Sequence, residues 1–151
     1  MMPMAESSTA PASEIADNLQ TIEGFRAGRD GLGGFFPRSA LLLLTTTGAR
    51  SGQERTWPVV RFVIDGRLSV VGSAAGRDQH PAWYHNLLVN PQVVVEQWVD
   101  DVYESFSAVA TVAAPQERDA LWAEVIRQNP NFAGYPAMTT RTLPIVFLNR
   151  L

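Results

Sequence analysis

The feature that most restricts this chain is the segment from residue 40 to residue 73, "ALLLLTTTGARSGQERTWPVVRFVIDGRLSVVGS". Three runs rich in leucine and β-branched residues, 40–47, 54–64 and 67–73, are separated by a glycine-flanked turn at 48–53 and by Asp65-Gly66, a strong hairpin signal. The segment therefore predicts three consecutive antiparallel strands.

The rest of the chain extends that pattern. Ile15, Leu19, Ile22 and Phe25 recur at helical spacing and end at Gly28, Gly31, Gly33 and Gly34, which predicts a short amphipathic helix capping the core. After the loop "SAAGRDQ", Pro81 suits the first turn of a helix through Val89, stopped by Asn90-Pro91. Strands near 92–98 and 102–113 form another hairpin, Pro115 opens a helix to about Gln128, "NPNFAGYPA" is a loop, and "LPIVFL" is a closing strand. About six strands with three helices and no regular βαβ alternation give an α+β class, a mostly antiparallel barrel or sandwich.

A chain of 151 residues fits one domain, expected over 15–151 behind a flexible N-terminal tail at 1–14. The tail lacks the basic and apolar regions of a secretory signal, so a cytoplasmic protein is expected. The formal net charge of −3 offers no global basic field for nucleic acid, so any anion site must be local. All 12 basic residues are arginine. The absence of Cys removes disulfides, thiolate nucleophiles and Cys-based metal sites, and His80 and His85 lie five apart, not the four that places two ligands on one helical face. No metal is expected. Peripheral membrane contact is not favoured, because the polar face of the first helix is not basic, and the oligomeric state is left open.

The local anion site is sought beside the first turn. Alternation along 55–65 puts Thr56, Pro58, Val60, Phe62 and Ile64 on one face, expected as core, and Arg55, Trp57, Val59, Arg61, Val63 and Asp65 on the other, expected as a groove wall. An unpaired arginine in a partly desolvated groove is costly, and an anionic ligand resolves the cost. Gly48 and Gly52 free the turn's backbone, Ser51 adds a hydroxyl and Arg50 a planar fork suited to phosphate; the alternative is a polar turn with solvated arginines. Gly72 interrupts a strand where a neighbouring backbone or a ligand approaches, and Ser73 offers a hydroxyl at its end. Trp83, Asn86, Leu87 and Asn90 share a helical face, with Trp83 and Leu87 expected in the core and Asn86 in need of a partner. Phe132 and Tyr135 flank a glycine in the late loop, either anchoring it or covering a planar ligand.

Taken in order, "LLLLTTTGARSGQERTWPVV", "VVGSAAGRDQHPAWYHNLLVNPQVVVE" and "TTRTLPIVFL" resemble the deazaflavin-dependent nitroreductase family over roughly residues 30 to 150. These are actinobacterial reductases with a split β-barrel related to FMN-binding barrels, and they use the deazaflavin coenzyme F420. The resemblance implies that the turn after the first strand holds the coenzyme phosphate, here at Arg50 and Ser51 with Arg55 following. It implies that Thr56, Trp57, Pro58, Val59, Val60 and Arg61, with Val71, Gly72, Ser73 and Ala74, flank the ring or its ribityl tail. Trp83, Tyr84 and Asn86 match the helix-start motif bordering the phosphate, and Phe132 lies where a tyrosine near the ring is common. Ala49 and Ala74 replace basic residues of the family pattern, losses for which Arg77 or Arg61 would compensate.

The implied activity is hydride transfer from reduced F420 to an electron-poor acceptor such as an activated enone, quinone or nitro compound, with Tyr135 or Ser73 supplying or orienting a proton. The alternatives are an FMN-dependent oxidoreductase and a non-catalytic carrier of a lipid, haem or coenzyme.

Overall fold

A computed structural model of the protein describes the backbone from Ala12 to Leu151 and side chains from Asn18 onward. Helix α1 (Ala12–Arg26) begins inside the segment 1–14 expected as a tail; the remainder of that tail, and the side chain of Ile15, lie outside the described residues. Strands β1 (Leu41–Thr47), β2 (Glu54–Val60), β3 (Phe62–Ile64) and β4 (Arg67–Val71) follow, then helix α2 (Ala82–Val89). Strands β5 (Gln92–Val99) and β6 (Val102–Val112), helix α3 (Pro115–Gln128), a 3-10 segment (Pro130–Met138) and strand β7 (Ile145–Arg150) complete the chain.

All strand pairs are antiparallel, in the order β2-β1-β5-β6-β7-β4-β3. The two edge strands, β2 and β3, are separated by one residue. The expected single strand 54–64 thus serves both edges of the sheet, which gives seven strands among the described residues in place of about six. Its division falls at Arg61, whose N–H still donates to the Ala40 carbonyl at 2.9 Å, beside β1. One residue later Phe62 pairs with Ser69 of β4. This crossing of one strand from edge to edge curls the sheet into a barrel split along the gap between β2 and β4.

Two-residue hairpins set the registers that matter here. Asp65 and Gly66 (φ 53° and 74°) join β3 to β4, and Asp100 and Asp101 (φ 50° and 61°) join β5 to β6. Left-handed central residues match the twist of paired strands, which is why Asp and Gly occupy these corners.

Three apolar clusters hold the layers. Leu42, Leu44, Val70, Val95 and Val146 meet Trp83 and Leu87 of α2 in one. Phe62, Ile64, Val71, Ile145 and Phe147 are covered by Leu121 and Val125 of α3 and by Phe132 in the second. In the third, Ile22 and Phe25 of α1 pack on Leu41 and Leu43. The division of 55–65 into a core face and a groove face is corrected by these contacts. Phe62 and Ile64 are buried as expected and Val60 packs on the second and third clusters, but Trp57 and Val59 pair across with Leu44 and Leu42 and pack on the first, and residues 56–60 are all half-buried. Both faces of an edge strand in a curled sheet meet apolar neighbours, so alternation alone does not separate them. No described helix is long and apolar enough to cross a membrane.

Candidate functional site

β2 and β4 diverge from the point where the chain passes Arg61, and a cleft of about 380 Å³ lies between them. Trp57, Pro58, Val59 and Val60 form one wall; Val71, Ser73, Ala74, Ala75 and Arg77 form the other. The start of α2 (Pro81, Ala82, Trp83) and the 3-10 segment (Asn131, Phe132, Tyr135), with Asn129 before it, line the ends, and Asn18, Phe35 and Phe36 stand at the side of α1. The lining is chiefly apolar with a few polar groups, the usual character of a site for a planar organic ligand.

The loop after β4 is held in an unusual conformation. Ser73 is right-handed (φ −76°, ψ −34°), whereas Ala74 (φ 46°), Ala75 (φ 54°) and Gly76 (φ 79°) are left-handed. A left-handed non-glycine residue costs roughly 1–2 kcal/mol, so the loop needs an external hold. Arg141 supplies it: Nη1 donates to Gly72 O (3.0 Å), Nη2 to Ser73 O (2.8 Å) and Nε to Arg77 O (2.8 Å). Nη1 also meets His80 Nδ1 at 2.9 Å, which makes that nitrogen the acceptor of a neutral ring. Burial first, then the charge of Arg141 and then His85, hold the His80 pKa below its usual value. Successive right- and left-handed residues turn backbone N–H groups to one side, an arrangement that cradles anions. Within the loop, Gly76 N–H donates to Ser73 O at 2.8 Å and Arg77 N–H to Ala74 O at 3.1 Å.

The family model for F420H(2)-dependent quinone reductases matches residues 20–150. The chain belongs to this family. The F420H(2)-dependent quinone reductase Rv1261c of Mycobacterium tuberculosis is 35% identical over 113 residues, 72% of this chain and 72% of that protein. A solved F420-H2 dependent reductase, FDR-A, superposes with a TM-score of 0.62 at 32% identity, covering 73% of this chain and 94% of that one. A domain-swapped dimer superposes at 0.65 with 29% identity, over 93% of this chain and 100% of that one. The split β-barrel and the oxidoreductase class expected from the sequence are those of this family, and its members' coenzyme is F420.

Against this F420H(2)-dependent reductase fold, the residues singled out in the sequence fall into two groups. Trp57, Pro58, Val59, Val60, Val71, Ser73, Ala74, Trp83, Phe132 and Tyr135 all stand on the cleft wall. Trp83 is also core, as expected. Tyr135 packs edge-on against Phe132 at 5.1 Å, and Phe132 against Phe62 at 5.2 Å, so the late loop is anchored while its tyrosine lines the cleft.

The second group sits behind or beside the wall. Asn86, 1% exposed, accepts from Ala49 N–H at 3.0 Å and donates to Thr46 Oγ1 at 3.1 Å, which ties the 48–53 turn to α2. Thr56 shares a hydrogen bond with Thr45 (2.8 Å). Arg61 Nε donates to Gln97 Oε1 at 2.9 Å, and burial lowers its pKa. Tyr84 packs on the first apolar cluster, with its ring 4.7 Å from His80. Gly72 faces Pro144: a Cβ there would lie 2.7 Å from Pro144 Cγ, so the close neighbour is protein rather than ligand. Arg50 is exposed on the turn, next to Ser51, whose Oγ accepts from Gln53 N–H at 3.2 Å.

Arg55 links the two groups. It lies two residues before Trp57 on the same face of β2, and both Arg55 Nε and Trp57 Nε1 are buried without a hydrogen-bond partner among the described residues. Trp57 lines the cleft and Arg55 stands outside its lining, nearer the turn, so each buried donor calls for an acceptor. Arg141 and the Phe35-Phe36 pair escaped the sequence reading; "GLGGFFP" carried a signal in its glycines, whereas "TTRTLP" carried none. Among the described residues no group of His, Asp or Glu side chains is placed to hold a metal.

Proposed function

We propose that the split between β2 and β4 binds F420 and that the protein reduces a quinone there. The deazaflavin ring lies against Trp57–Val60 and Val71–Ala74, and its negatively charged tail runs past Arg55 toward Arg50 and Ser51, with Arg77 and the Ser73–Ala75 backbone on the opposite side. The observation that carries this reading is the pair of orphaned donors, Arg55 Nε and Trp57 Nε1. When bound in its reduced state, F420 supplies the hydride.

The protein's part is position and electrostatics. The β2 wall and Trp83 fix the plane of a ring, Arg55 and the turn fix its length, and the anchored Phe132-Tyr135 pair limits water over the reacting face. A quinone that accepts a hydride must also accept a proton to become a hydroquinone. Ser73 and Tyr135, both on the cleft wall, are the residues here that would donate that proton or hold a water that does. The family's coenzyme favours F420 over FMN, and its chemistry favours an enzyme over a carrier.

The test is titration of F420 into the wild type and into Arg50→Ala and Arg55→Ala, followed by the coenzyme's fluorescence. Each variant is expected to bind about 1–3 kcal/mol more weakly. Unchanged affinity in both would overturn the placement of the tail.

A further inference from the structure

The loop 72–77, one wall of the cleft, carries three successive left-handed residues, Ala74, Ala75 and Gly76, and Gly76 is buried. A side chain from another segment covers it. A Cβ placed on Gly76 would lie 2.8 Å from Met138 Sδ and 2.9 Å from Met138 Cβ. Met138 thus occupies the space that a side chain at position 76 would fill, and its thioether closes the loop from outside.

Met138 ends the 3-10 segment that carries Phe132 and Tyr135. Three residues later, Arg141 donates to Gly72 O, Ser73 O and Arg77 O. The stretch 138–141 therefore holds the wall at two points, with a guanidinium on its carbonyls and a sulfur on its glycine. Only the second is open to oxidants, and Met138 is 62% exposed. The chain has no Cys, and its other methionines are Met1, Met2 and Met4. Among the described residues, the one sulfur rests against the coenzyme cleft's most strained loop.

We propose that Met138 is a site of reversible oxidation that releases the 72–77 wall and so lowers the cleft's affinity for its coenzyme. The effect on the coenzyme rests on the reading of the cleft as the F420 site. With hydrogen peroxide as oxidant, a lone pair of Met138 Sδ attacks one peroxide oxygen. The S–O bond forms as the O–O bond breaks, and the departing hydroxide takes the proton of the transferred oxygen and leaves as water. Sulfur loses two electrons and the peroxide gains them. The sulfoxide is polar and draws the side chain from Gly76 toward water, which leaves the left-handed run dependent on Arg141 alone. A methionine sulfoxide reductase returns the thioether, with a dithiol oxidised to a disulfide and the oxygen released as water.

The experiment treats the full-length protein with hydrogen peroxide and locates the added oxygen by mass spectrometry of its peptides. Oxidation at Met138 is expected to weaken F420 about fivefold in fluorescence titration and to speed amide exchange in residues 73–77. Both changes reverse on treatment with methionine sulfoxide reductases and dithiothreitol. Met138→Leu keeps the apolar contact without the sulfur; it binds F420 as wild type does and ignores peroxide, although Met1, Met2 and Met4 remain. Met138→Gln, polar without oxidation, binds as weakly as the oxidised wild type. Affinity and exchange unchanged with Met138 oxidised, Met138 left intact while the N-terminal methionines oxidise, or a peroxide effect that persists in Met138→Leu each overturns the assignment and leaves the F420 reading intact. A wild type that fails to bind F420 overturns that reading, and amide exchange in 73–77 then decides whether Met138 holds the loop.

Discussion

A buried donor without an acceptor costs about 1–3 kcal/mol, and β2 carries two of them within three residues, Arg55 Nε and Trp57 Nε1. Trp57→Phe removes one such cost while keeping most of the packing on Leu44's cluster. Its expected phenotype is split: coenzyme-free stability equal to wild type or up to about 1 kcal/mol higher by urea unfolding, with weaker F420 binding. A purely structural tryptophan would lose stability and leave affinity alone. Gly72→Ala tests a different constraint, since its new Cβ would lie 2.7 Å from Pro144 Cγ, next to the bond from Gly72 N–H to Pro144 O. It is expected to destabilise by about 1–3 kcal/mol in thermal or chemical unfolding. The glycine was legible in the sequence as a break in a strand; the neighbour that demands it was not, because Pro144 is distant in sequence and reaches it only through the pairing of β4 with β7.

At the scale of elements, the loop 72–80 depends on one guanidinium from the segment that leads into β7. Facing His80 are Arg141, Tyr84 and His85. Because the folded state lowers the His80 pKa below its ordinary 6.5, through burial and then Arg141 and His85, the unfolded state binds the extra proton first. The stability this neutral ring contributes is therefore complete above pH 6.5 and is lost as pH falls from there through the folded value. F420 affinity, if the Ser73–Arg77 wall holds the coenzyme as proposed, is expected to weaken over the same interval. His80→Asn, which keeps an acceptor but does not titrate, should flatten that dependence between about pH 5 and pH 7 in fluorescence titrations. Elements as such were legible: the hairpins at Asp65-Gly66 and after β5, the Pro81 and Pro115 helix starts and the closing strand lie within a few residues of where glycine, proline and alternation put them. The division of 54–64 at Arg61 was not, since nothing in "VVRFVI" breaks the pattern and the cause is a change of partner from β1 to β4.

The whole molecule is held to α1 by a charged joint. Arg26 Nε and Nη2 each donate to Glu96 at 2.8 Å, and Tyr103 O–H donates to the same carboxylate at 2.7 Å. The Arg26 hydrogen bond leads the causes that hold the Glu96 pKa below 4.5, while burial and then Glu96 push Tyr103 up to about 12. With a depressed folded value, this carboxylate's contribution is present above pH 4.5 and is lost as pH falls through the folded pKa. Glu96→Gln should shift acid unfolding to higher pH and loosen α1 first, seen as faster amide exchange in residues 18–26 than in β5 and β6. The joint is absent from any local sequence pattern, because Arg26 and Glu96 are separated by 70 positions and meet only when α1 lies across the sheet.

β2 and β3 are one strand bent at Arg61, and the cleft begins at that bend. The two walls are thus leaves on a common spine. With one end tied through Arg61, a widening of the cleft is expected as a swing, smallest at the spine and greatest at the outer rim. A rigid plane seated deep in the fork would be gripped at nearly constant spacing, while a partner arriving later would meet the part of the fork that yields.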